Sequence, residues 1–357
     1  MKKRIFSMLL ASVFAMSLFV GCGSNTSDTA NSETSNETVE KTENTSGTVY
    51  KVGIIQYVDD ASLNQIVDNI EAELDTLGEQ YGVTFEYEDY YHNGQADATT
   101  LNQIVTELIN DDVDILVPIA TPTAMICQAA TEDNQIPVVF SAVSDPVGAG
   151  LVDTLENPGS NITGTSDALN TYAIFDIMLA ENPSLSKVGL LYDKSQDSSA
   201  APIADAKDYL DSKGIEYVEK TGTSNDEVML AADALIAEGV EAVFTPTDNT
   251  IMTAELGIYE KFIDAKIPHY CGADSFALNG AYMGYGVNYA TLGVKTADMI
   301  AEILVNGADP ATLEVEILDN GTATVNTETA EAIGYDYSIV ESMCDGFVEI
   351  QTATEFN

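Results

Sequence analysis

The chain repeats its own pattern. Lys51-Val52-Gly53-Ile54-Ile55 returns as Lys187-Val188-Gly189-Leu190-Leu191, and Val113 to Thr123 (VDILVPIATPT) returns as Val240 to Thr250 (VEAVFTPTDNT). Ile136-Pro137 opens a segment ending in Ser144-Asp145; Ile267-Pro268 opens one ending in Asp274-Ser275. The offsets are 136, 127 and 131 residues. Any chain of alternating strands and helices can supply one such match, but three in the same order at nearly constant offset require two similarly built halves.

Each half alternates short apolar runs with amphipathic stretches. Val52 to Ile55, Val83 to Tyr87, Asp114 to Ile119 and Val138 to Phe140 read as strands. Leu63, Ile66, Val67, Ile70, Leu74 and Leu77 recur at helical spacing, as do Leu101, Ile104, Val105 and Leu108. Uninterrupted apolar strands separated by helices imply a parallel sheet covered on both faces. The expected fold is α/β, with two doubly wound parallel-sheet lobes. In such sheets ligands bind beyond the carboxyl ends of the strands. Those ends are rich in hydroxyl and amide groups here: Gln56-Tyr57, Thr121-Pro122-Thr123, Ser144-Asp145, Ser195 to Ser199, Thr247 to Thr250 and Asp274-Ser275.

The N-terminus points to export. Lys2, Lys3 and Arg4 precede an apolar run from Ile5 to Val20, closed by Gly21-Cys22. This is the order of a secretory signal, and the run is shorter than the roughly 20 residues that span a bilayer. Residues 1–21 are expected to be a leader and 22–48 a tether. From Gly23 to Thr48 the tether is dominated by Ser, Thr, Asn and Glu, a composition that cannot offset its ordering entropy by burial. As a coil it reaches about 25–30 Å. The formal charge of −45 falls near −48 without the three leader cations, which disfavours nucleic acid and anionic lipid surfaces as partners.

Catalytic and metal patterns are absent. Of the two histidines, His269 follows Pro268 in a strand and reads as structural, and His92 lies in a polar loop. Gly164 to Ala168 lacks the final glycine of a nucleophile elbow. Gly148-Ala149-Gly150 is followed by Asp153 where a dinucleotide fingerprint needs glycine. Asp193 to Asp197 begins like a calcium loop, but Ala204 stands where the bidentate Glu belongs. Asp111-Asp112 falls in a helix-to-strand turn. Cys127, Cys271 and Cys344 have no metal spacing, and the first two sit in apolar stretches. The reading is a protein that is not an enzyme and needs no cofactor or metal.

Six segments carry one further pattern: Ile55-Gln56-Tyr57-Val58 with Leu63, Ile119 to Ala124, Ser141 to Ala149, Pro158 to Asp167, Asp248-Asn249-Thr250, and Tyr282 to Gly293. Together they resemble the tryptophan/tyrosine-type substrate-binding proteins of ABC transporters, within the type I periplasmic-binding fold. Leu18 to Cys22 resembles a lipobox, with Cys22 as the lipidated residue. The chain departs from the family pattern at Gln196 and Ser198, where Glu and Asn are usual, and at Asp59, where His is frequent. The resemblance implies a Venus-flytrap arrangement with hinge crossovers: lobe 1 at 49–166 plus 289–311, lobe 2 at 167–288 plus 312–357. It implies a protein outside the cytoplasm, held to the membrane only by its lipid and serving an ABC permease; a monomer is the default expectation for a leashed pair of lobes.

The implied ligand is an amino acid, with aromatic ones favoured. Thr121, Thr123, Ser198 and Ser199 offer hydroxyls for a carboxylate. Asp248 or Asp145, with Asp274 third, offers a carboxylate for the ammonium, although an Asp after a strand also suits capping of the next helix. Tyr57 offers a ring face. Gln56, Ser144 and Asn249 complete the candidate set. A sugar or nucleoside ligand, or an extracellular sensor or adhesin of the same fold, is the alternative reading.

Overall fold

The computed structural model describes residues 47–318 and 321–353; the leader, Cys22 and nearly all of the tether lie outside them. The first half runs β1 (Val49–Gln56), α1 (Ala61–Tyr81), β2 (Thr84–Glu86), β3 (Tyr91–Asn93), α2 (Ala98–Asn110), β4 (Ile115–Ile119), α3 (Thr121–Thr131), β5 (Val138–Phe140) and β6 (Ile162–Ser166). The second runs α4 (Thr171–Glu181), β7 (Lys187–Tyr192), α5 (Asp197–Lys213), β8 (Glu216–Thr221), α6 (Asn225–Ala237), β9 (Ala242–Thr245), α7 (Asn249–Ala265), β10 (His269–Cys271), α8 (Asp274–Leu278) and β11 (Met283–Gly286). The chain then forms α9 (Tyr289–Leu304), β12 (Glu316–Ile317), β13 (Thr322–Asn326), α10 (Thr327–Ile333) and β14 (Gly346–Ile350).

These strands make two sheets, one per lobe. The first has the order β12-β6-β5-β4-β1-β2, with β3 also on β1, and every pairing in it is parallel. The second has the order β14-β13-β11-β10-β9-β7-β8 and is parallel except where β13 runs antiparallel to β11. The sequence pairs recur in space: β1 and β7 are equivalent, as are β4 and β9. Both central strands bury every residue, as strands covered on two faces must.

Two particulars differ from the sequence reading. Residues 312–318 stay with the first sheet, because β12 hydrogen-bonds to β6 through Glu316 and Ile317. The return to the second sheet therefore lies between β12 and β13. His92 sits within β3, opposite Ile55, rather than in a loop. The C-terminal stretch belongs to the second sheet, where β14 pairs along the full length of β13.

Helix ends follow local chemistry. Asp60 accepts from the Leu63 N–H to start α1, and Gly82 ends it in the left-handed region at φ 70°. Helix α9 packs along α1, where a Cβ at Gly293 would come within 2.6 Å of the Ile66 carbonyl, so only glycine permits this approach. Thr296 fixes α9 to the sheet by bonding Ser141 and Thr165, each at 2.9 Å.

His269 is buried and structural: its ring bonds Thr245 Oγ1 at 2.8 Å and Glu255 Oε1 at 3.1 Å. Cys127 and Cys271 are free and buried among apolar neighbours, and burial pushes both thiols above their ordinary range. No helix among the described residues is long and apolar enough to cross a membrane.

Candidate functional site

The carboxyl ends of the two sheets face each other and enclose a cavity. Its walls come from Asp60, Leu63, Thr121, Ser144, Asp167 and Tyr289 on one side and Ser198, Asp248, Asn249, Met252, Ser275 and Phe276 on the other. The lobes touch around it. Ser62 Oγ donates to Ser275 Oγ at 2.6 Å, and Thr247 meets Ser144 Oγ at 3.1 Å. Tyr57 reaches across to the side chain of Gln196. The enclosed space is about 30 Å³, room for roughly two waters.

The helix N-termini at this cavity are distinctive. Seven of the ten described α-helices are capped by the side chain of Asp60, Asp97, Asn170, Ser224, Asp248, Asn288 or Asn326. The other three, α3, α5 and α8, have no side-chain cap, and all three begin at the cavity wall. A first turn without a capping side chain presents the positive end of the helix dipole, offset at α5 and α8 by Asp197 and Asp274 in the first turn. At α3 the preceding residue, Ala120, lies at φ 76°, and Ala142, also in the wall, lies at φ 55°. Such left-handed conformations cost a non-glycine residue about 1–3 kcal/mol and cluster at binding sites. Thr121 Oγ1 and Thr123 Oγ1 are buried with no hydrogen-bond partner, which ordinarily costs about 1–3 kcal/mol each.

Facing these donors are carboxylates. Asp60 is buried, and desolvation pushes its carboxyl up to about 7 against the lowering effect of the Leu63 and Ser62 N–H groups. Asp167 accepts from Ser144 Oγ at 2.9 Å and Tyr289 O–H at 3.2 Å, and burial raises its pKa as well. The Asp167–Tyr289 bond ties the segment after β6 to the start of α9, so it joins two interlobe crossovers. No Lys, Arg or His lines the cavity. Among the described residues no cluster of His, Cys, Asp or Glu is placed to hold a metal.

The structure divides the residues expected from sequence. Thr121, Ser144, Ser198, Asp248 and Asn249 line the cavity, and Thr123 is buried in the same first turn as Thr121. Asp248 is fully engaged: Oδ1 accepts from the Thr250 and Ile251 N–H groups, and Oδ2 from the Asp193 N–H and Ser199 Oγ, both at 2.7 Å. It caps α7 and anchors the start of α5. Ser199 is spent on that bond, and Ser198 donates to the Thr247 carbonyl.

The remaining candidates lie outside the cavity. Asp145 receives the Gly148 N–H and forms a turn. Gln56 turns away, bonding Asn64, Tyr91 and the Val58 carbonyl. Tyr57 stands at the lobe edge, and Asp274 faces a neighbouring cavity. The sequence reading passed over Asp60, Met252, Phe276 and Tyr289. Only Asp60 carried a visible signal: an aspartate between a strand end and the first turn of a periodic helix.

The comparisons agree with this geometry. Residues 51–342 match the model of the family described as ABC transporter substrate binding protein. A "Tyrosine-binding protein" of Clostridioides difficile (strain R20291) is 29% identical over 331 residues, 93% of this chain and 92% of that protein. The crystal structure of an ABC domain in complex with L-Trp from Streptococcus pneumonia is 27% identical. It covers 84% of this chain and 100% of its own, with a TM-score of 0.77. The ligand-free, open structure of a substrate binding protein with adhesive properties from Clostridium difficile is 28% identical over 85% of this chain and 100% of its own, and reaches 0.65. The TM-score is higher against the L-Trp complex than against the ligand-free, open structure. The chain belongs to the ABC transporter substrate binding protein family.

Proposed function

We propose that this protein captures an aromatic L-amino acid between its lobes and presents the closed form to an ABC permease. The observation that carries the reading is the division of charge in the cavity. Uncapped N-termini of α3 and α5, with the orphan hydroxyl of Thr121, suit an α-carboxylate. The buried Asp60 and Asp167 suit an α-ammonium, with no cationic side chain to compete for them. Leu63, Met252 and Phe276 supply apolar and aromatic surface for a ring. Asp60 replaces Asp248 as the ammonium partner, because the four acceptor positions of Asp248 are filled from within its own lobe.

A zwitterion bridging both lobes is more favourable in the closed than in the open form, and only that difference shifts the equilibrium. The proposed role is binding without turnover. The proposed setting is outside the cytoplasmic membrane, with Cys22 as the lipidated anchor, the tether as a leash and the body as a monomer.

The test is a thermal-shift screen of residues 49–357 against the twenty amino acids, nucleosides and common sugars. A ligand at a hundred times its Kd stabilises the folded body by about 2.7 kcal/mol. Shifts with tyrosine, tryptophan or phenylalanine support the reading; shifts confined to sugars or nucleosides overturn it. A surface-adhesion role is the second reading, favoured by the adhesive properties of the C. difficile relative. Binding of the purified body to host-cell surfaces, unaffected by the amino-acid ligand, would support it.

A further inference from the structure

A second cavity, of about 280 Å³, lies beside the first and shares Ser275 with it. The Ser62–Ser275 hydrogen bond stands between the two. One wall is the start of α1, through Ala61 and Gln65; the other is α8 with β13 and β14; the floor is the crossover at 286–288. The cavity is therefore built from both lobes and a hinge segment, and is complete only with the lobes in contact.

Its lining is both polar and apolar. Asp274 supplies its one carboxylate, which accepts from Ser62 Oγ at 3.5 Å and from the Ser275 N–H, and Gln65 Oε1 is buried with no hydrogen-bond partner. Leu278, Val287, Val348 and Ile350 add apolar surface beside Asn288, Thr322 and Thr324, and Val348 is 44% exposed. No Lys, Arg or His lines it.

We infer that this hinge-side cavity is a second ligand site, for a small aliphatic primary amine. The ammonium bonds Asp274 and Gln65 Oε1, and the alkyl arm lies against Leu278, Val348 and Ile350. A cation satisfies the carboxylate and the orphan oxygen together, and an anion is repelled. Because the two walls belong to different lobes, occupancy favours closure, and by linkage it tightens whatever the central cavity binds.

The experiment uses the body with n-butylammonium chloride as probe, at pH 8. n-Butanol, sodium butyrate and tetramethylammonium chloride at equal ionic strength are controls. Butylammonium is expected to raise the melting temperature more than any control. The rise should vanish in Gln65→Leu, which removes the acceptor, and in Val348→Trp, which fills the space for the alkyl arm. Equal shifts for all salts, or a butylammonium shift retained in both variants, overturn the inference. In the wild type, saturating butylammonium is expected to lower the apparent Kd for tyrosine about fivefold. Competition with tyrosine would place the amine in the central cavity and overturn the second site. If tyrosine does not bind at all, the comparison of wild type and variants still decides this inference on its own.

Discussion

Replacing Thr121 and Thr123 together by valine should make the free protein more stable and a worse binder. Both hydroxyls are buried without a partner, so each carries a desolvation cost of about 1–3 kcal/mol in the free protein. Valine keeps the branched shape, and its helix propensity is close to that of threonine. Relief of even part of the cost gives about 1–2 kcal/mol of added stability. For a body of this size that corresponds to a rise of about 1.5–3 °C in Tm. The bound state moves the other way, because hydrogen bonds to a charged group contribute about 1.5–3 kcal/mol, which is roughly a 10–100-fold loss of affinity. Melting curves without ligand and calorimetric titration with tyrosine give the two numbers. A double variant that melts lower while keeping its Kd would refute the reasoning, because the hydroxyls would then serve the fold.

The other predictions separate binding from structure. Asp60→Asn keeps an N-cap for α1 but removes the carboxylate, so stability should hold within about 1 kcal/mol while the tyrosine Kd rises at least tenfold in titration. Asp248→Ala strands four donors, two from its own helix and two from α5 and the loop before it. It should cost about 3–5 kcal/mol of stability by urea denaturation, not a selective loss of binding. Acidification should act in opposite senses on stability and on binding. Burial raises Asp60 to about 7 and Asp248 and Asp274 to about 6. The folded state thus holds these protons more tightly than the unfolded chain, whose carboxyls titrate near 4. The contribution of these groups to stability rises as pH falls from about 7 toward about 4. Affinity for an ammonium falls over the same interval as Asp60 is neutralised, which titrations at several pH values will show.

What could be read in the sequence was whatever is local. Continuous apolar strands, helical spacing and the repeated order of Val113 to Thr123 and Val240 to Thr250 report the two lobes, because burial on both faces leaves its mark residue by residue. The strand-end hydroxyls Thr121 and Ser144 were legible for the same reason. Strand β12 was not: two residues of pairing at Glu316 and Ile317 impose no pattern, so the crossover was placed too early. The engagement of Asp248 was not legible, because the groups that occupy it, Asp193 and Ser199, lie 55 and 49 residues away. Asp60 was missed for the converse reason. Its cap role is local, but the wall it faces belongs to Met252 and Phe276 of the other lobe.

Calorimetric titration of the body with L-tyrosine, tyramine and 3-(4-hydroxyphenyl)propionate tests the central claim most directly. Tyramine lacks the carboxylate and the propionate lacks the ammonium, so each forfeits one half of the site. The account predicts tight binding of L-tyrosine and a loss of at least a hundredfold, about 2.7 kcal/mol, for each analogue. Binding of tyramine or the propionate as tight as that of tyrosine would contradict it, because the uncapped helices and the buried aspartates would then not be reading a zwitterion.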